Sequence, residues 1–134
     1  MAIGLSTTVR NARLTAIITA LDSGVTGGFL KFYDGVRPAT GGTATTLLAT
    51  LTLSKPSGTV SGGVLTGAVI TGANAVAGTN TPSTWARLTD LAGTFVADLS
   101  VGTTGTDIIL AGSANMTTGQ PVSVTSWSIT EGAA

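Results

Sequence analysis

The chain contains no cysteine and no histidine, and only 9% of its residues are charged. Without cysteine there is no disulfide framework and no thiolate to hold zinc. Without histidine, the usual general base near neutral pH and the commonest metal ligand are both missing. Six acidic and six basic residues give a formal net charge of zero, so nothing pulls the chain toward nucleic acid or an anionic membrane surface. Aromatic residues make up 4%, too few for a carbohydrate-binding module built on several exposed rings. The longest apolar stretch near the start, Leu14 to Leu21, falls far short of the roughly 20 residues of a membrane span. Arg10 and Arg13 precede it as in a secretion signal. Asp22-Ser23-Gly24 then follows in place of a small-x-small cleavage pattern, so no signal peptide is expected.

These absences narrow the chemistry further. The many serines and threonines have no histidine to activate them. The carboxylates are five scattered aspartates and Glu131, which do not suggest the paired acids of a glycosidase. Gly41-Gly42 and Gly62-Gly63 lack the lysine and the helix context of a phosphate loop. Asp34, Asp90 and Asp98 do not fall in calcium-loop spacing. The expectation is a structural or binding protein, not an enzyme. No catalytic residue, cofactor, metal site or small-molecule substrate is assigned.

What is present builds a β-sheet. Hydrophobic residues make up 43%, and glycine and threonine recur where turns and exposed strand faces need them. Neutral, charge-poor chains of this kind also tend to associate. One domain over 1–134 is expected. A helix is predicted over 6–23. Ser6, Thr7 or Thr8 can cap it, and Val9, Ala12, Ala16, Ile17, Ala20 and Leu21 give an apolar stripe widened by Leu14 and Ile18. Gly24 is expected to end it in a left-handed conformation. Ile17 is a candidate contact residue because such a stripe needs a partner.

From residue 28 to 130 the period is strand-like. Strands are predicted at Phe29 to Tyr33, Leu47 to Leu53, Val64 to Thr71, Trp85 to Thr89, Thr94 to Val101, Asp107 to Leu110 and Pro121 to Thr130. The expected fold is mainly β: a β-sandwich or jelly-roll-like domain of about seven to eight strands with one N-terminal α-helix. The last strand changes phase between Val124 and Trp127, which predicts a bulge near Thr125-Ser126 or a strand buried on both faces.

The hairpin around Asp90-Leu91-Ala92-Gly93 carries the main site expectation. Closing it over those residues sets Thr89 opposite Thr94 and Trp85 opposite Asp98, with Arg87 on the diagonal. Ala86, Leu88, Phe95, Ala97, Leu99 and Val101 then share the core face. Trp85, Arg87, Val96 and Asp98 share the other. Two readings stand for Trp85, Arg87 and Asp98: an ion pair shielded by an indole, or a protein-interface anchor.

Four segments carry a resemblance: GLSTTVRNARLTAIITALDSG, LKFYDGVRPATGGTATTLLATLTLS, WARLTDLAGTFVADLSVGT and VSVTSWSITEG. Together they resemble a family of small tailed-bacteriophage virion proteins over nearly the whole chain. The resemblance implies a capsid decoration, or cement, protein that sits on the outer head lattice at junctions of the major capsid protein. It also implies a homo-oligomer, with a trimer favoured, made in the host cytoplasm and carried on the capsid exterior. Neither nucleic acid nor a membrane is expected as a partner. Where family members carry an Asp-x-Asp-Gly turn, this chain has Asp90-Leu91-Ala92-Gly93, which argues against a metal at the turn. No functional residue transfers from the family. The alternative is a tail or fibre component of the virion.

Overall fold

The structure, a computed structural model, describes residues 4–130. One helix, α1 (Thr7–Leu21), precedes twelve strands: β1 (Phe29–Tyr33), β2 (Leu47–Thr52), β3 (Gly58–Ser61), β4 (Val64–Gly67), β5 (Ala73–Asn74), β6 (Thr81–Pro82), β7 (Trp85–Thr89), β8 (Phe95–Gly102), β9 (Ile108–Leu110), β10 (Asn115–Met116), β11 (Pro121–Val122) and β12 (Val124–Thr130). The fold is mainly β and sandwich-like. Eight strands form one sheet in the order β2-β1-β7-β8-β9-β12-β4-β3, and β10-β6 and β11-β5 are two short ribbons.

Connectivity forces this sheet to curl. Its edge strands, β2 and β3, are consecutive in the chain and joined by residues 53–57 alone. Such a link reaches about 20 Å when fully extended. Eight strands laid flat would put their outer members about 34 Å apart. The sheet therefore curls until its two edges approach each other, and its inner face and α1 share one core. That core runs from Leu30, Phe32 and Leu51 through Leu88 and Leu99 to Leu65, Ile108 and Trp127. Trp127 lies so close to β4 that a Cβ on Gly67 would fall inside its indole. The bulge expected near Thr125 is present, between Val124 and Ser126 in the pairing with β9.

The helix packs by a different stripe from the one predicted. Leu14 and Leu21 are buried, and Ile17 and Ile18 pack half-buried beside them. Ala12 and Ala16 face outward and Val9 is exposed. Leucine and isoleucine bury more apolar surface than alanine, so they take the inward positions. Ser6 caps the start, its Oγ accepting from the Val9 N–H. The end is not a glycine cap: Asp22 N–H closes the last turn on Ile18 O, and Gly24 is not left-handed. Two side chains fasten α1 to the β3–β4 hairpin and to the connection that leads into it. Asn11 Oδ1 accepts from Gly63 N–H at 2.8 Å, and the Asp22 carboxylate accepts from Ser57 N–H. An acidic group at a helix C-terminus opposes the helix dipole, and its bond to Ser57 accounts for its place there.

Two further departures concern strands. No strand is predicted between Leu53 and Val64, where Lys55-Pro56-Ser57-Gly58 is turn-like, yet Gly58–Ser61 pairs with β4. β8 and β9 run parallel although residues 103–107 alone connect them. A parallel crossover ordinarily takes about a dozen residues or more. Here the parallel contact is confined to Val101 and Gly102. Asp107 holds the turn, its carboxylate accepting from both Ser100 N–H and Ser100 Oγ.

Candidate interaction site

The outer face of β1, β7 and β8 carries a second, smaller packed cluster. Tyr33 and Trp85 are opposite each other in the β1–β7 ladder, and their rings stack at 4.5 Å and 16°. Arg87 lies directly opposite Asp98, and Trp85 opposite Ser100. The expected pairing of Trp85 with Asp98 is therefore two residues out of register. One residue of the shift comes from the turn, which closes so that Thr89 pairs with Phe95 in place of Thr94; the other comes from a bulge between Leu88 and Thr89, where Leu88 pairs with Ala97 and leaves Val96 as the extra residue. The bulge also reverses two side chains. Phe95, expected in the core, lies against the Arg87 guanidinium, and Val96 packs against the core.

Arg87 is held from several directions. Its Nε donates to Asp98 Oδ1 at 2.7 Å and its Nη2 to Asp98 Oδ2 at 3.1 Å. The same Nη2 donates to Gly42 O at 2.9 Å. Its carbon centre stands 5.2 Å from the Trp85 ring and 5.0 Å from the Phe95 ring. Only 12% of the Arg87 side chain and 6% of the Asp98 side chain is exposed. A guanidinium so placed gains from the paired carboxylate and from both ring faces. The hydrogen bond to Asp98 raises the Arg87 pKa above its ordinary value, so the charge is fixed. Burial raises the Tyr33 pKa, with Arg87 pulling it down and Asp98 pushing it up.

The loop between β1 and β2 covers this cluster. Trp85 Nε1 donates to Asp34 O at 3.0 Å and to Thr45 Oγ1 at 3.1 Å. Asp34 Oδ1 accepts from Thr46 N–H, closing the base of the loop. Trp85 is thus 1% exposed beneath the protein's own chain. The structure brings Trp85, Arg87 and Asp98 together, as their alternation implies. It adds Tyr33, Phe95 and Gly42. It does not bring Ile17 to them, because Ile17 packs against the core from α1, on the sheet's other side. Tyr33 had a signal in the strand alternation of Phe29 to Tyr33. Phe95 had none, since the bulge that turns it outward leaves no mark in the residue pattern.

At one end of the sheet lies a different feature. Val25 and Val69 are 93% and 90% exposed. They flank one connection: Lys55 Nζ donates to Gly24 O and Ser54 Oγ to Val69 O.

Among the described residues, no three His, Cys, Asp or Glu side chains come together as a metal site, and no helix is long and apolar enough to cross a membrane. No family model, curated protein or solved structure matches the chain.

Proposed function

We propose that this protein is a structural component of a bacteriophage virion, a decoration or cement protein on the outer surface of the capsid. Its partner is the major capsid protein, it works as a homo-oligomer with a trimer favoured, and it catalyses no reaction. The observation that carries this reading is the four-segment resemblance in sequence. Those segments supply α1, β1 and β2, β7 and β8, and β12, the framework of the fold. Two features of the surface support it. The most constrained cations and anions of the outer face are engaged in fastening a loop, with Arg87 spanning Asp98 and Gly42. Valine side chains stand almost fully exposed on loops at one end of the sheet, where a neighbouring subunit can cover them. Synthesis in the host cytoplasm followed by assembly onto the head completes the reading.

Particles made without the protein test it. The cement role predicts shells that close but lose integrity sooner on heating and at low salt. Shells as resistant as complete ones would overturn it, and a protein found only on tails would establish the tail or fibre alternative.

A further inference from the structure

Strand β8 has neighbours on both sides only at its end. Along Phe95 to Ser100 it pairs with β7 alone, and β9 joins it at Val101 and Gly102. Ser100 N–H fixes the direction of the free side, because it donates at 3.0 Å to Asp107 and so points away from β7. Outward-pointing groups recur at every second residue of an antiparallel strand. The N–H and C=O of Asp98 therefore point outward too. A cleft of about 400 Å³ runs beside this stretch, between Phe95, Val96, Ala97 and Asp98 on one wall and Arg37 to Thr40 on the other. Phe95 and Asp98 lie against Arg87 on the outer face while Val96 and Ala97 pack toward the core, so a cleft lined by all four follows the strand's edge.

The cleft has a definite chemistry. Its lining is mixed: Pro38, Ala39, Phe95, Val96 and Ala97 supply apolar surface, and Arg37, Thr40 and Asp98 supply polar surface. The Asp98 carboxylate is already matched by Arg87 on both oxygens. Arg37 is exposed at the rim, and among the described residues its guanidinium has no hydrogen-bonding or ionic partner. The cleft therefore carries one uncompensated positive charge.

A bare strand edge is a template for another strand. We infer that the free edge of β8 accepts an extended segment of a partner protein by strand addition. That segment sets small apolar side chains in the cleft and a carboxylate against Arg37. A second copy of the same edge fits less well, because it brings no free carboxylate: its own Asp98 is engaged. The inference does not rest on the virion reading, since it follows from the edge and the charge alone.

The test uses the full-length, isotope-labelled protein and a blocked heptapeptide of alternating valine and glutamate. The proposal predicts amide shifts confined to 37–40 and 95–100, and slowed hydrogen exchange at the Asp98 N–H. It predicts weaker binding of the same peptide with lysine for glutamate. It also predicts a loss of about tenfold or more on Arg37→Glu, an exposed position whose change leaves the fold intact. Absence of perturbation at about 1 mM peptide, the weak limit of useful recognition, would overturn it. So would shifts elsewhere, undiminished binding by Arg37→Glu, or equal binding of a peptide with alternate backbone nitrogens methylated. Dimerisation that protects the same Asp98 amide would assign the edge to a second copy instead.

Discussion

Arg87 joins β7, β8 and the β1–β2 loop through one guanidinium. Removing either partner of a nearly buried pair leaves the other charge without compensation, at a cost of about 3–5 kcal/mol. Arg87→Ala and Asp98→Ala are each expected to lower folding stability toward that range. The double variant is expected to lose much less than the sum of the two, as chemical denaturation in a double-mutant cycle would show. Tyr33 gives an independent check, because it is the only tyrosine. Its folded pKa is raised by burial, so its contribution to stability is fully present below the unfolded value of about 10 and is lost as pH rises through the folded value. Ultraviolet titration of the phenolate should give a midpoint above that of an unfolded tyrosine. Tyr33→Phe should flatten the alkaline loss of stability. At this scale the sequence showed which residues share a strand face, since alternation alone puts Trp85 with Arg87. It did not show their exact opposition, because the turn closes one residue later than expected and one bulged residue, Val96, moves the register once more and turns Phe95 outward.

Among the elements, α1 depends most on its tertiary contacts. A helix of this length is marginal alone in water, and it carries no acidic residue in its first turn and no basic residue in its last. Its stability comes from Leu14 and Leu21 in the core and from the bonds of Asn11 to Gly63 and of Asp22 to Ser57. Leu14→Ala is expected to cost about 2–5 kcal/mol, as for a closed leucine site. Val9→Ala, on the exposed side, should cost under about 0.5 kcal/mol. Ile17→Asp should fall between them, because Ile17 is half-buried. Thermal denaturation of the three variants orders them; a larger loss for Val9 than for Leu14 would contradict the packing. Helix and long strands were legible because fifteen residues of Thr7–Leu21 and eight of Phe95–Gly102 carry enough pattern to register. The two-residue strands β5, β6, β10 and β11 carry no periodicity, and glycine and proline disguised β3.

At the scale of the molecule, the curl of the sheet places loops at its ends and reserves its inside for one core. Nothing in a local pattern encodes that curl; it follows from which distant strands pair and from the short link between the two edges. The consequence for function lies in what remains outside. Val25 and Val69 flank the 53–57 connection almost fully exposed, so changing them leaves the core untouched. Val25→Asp with Val69→Asp is expected to leave the melting temperature nearly unchanged and to weaken attachment to the capsid, measured by co-sedimentation with heads lacking the protein. Equal co-sedimentation would move the contact surface elsewhere. The central claim is the position on the particle, and electron microscopy of whole virions compared with virions lacking the protein tests it most directly. The account predicts difference density on the outer head surface at junctions between major capsid subunits. Density on the tail alone, or none on the particle, would contradict it.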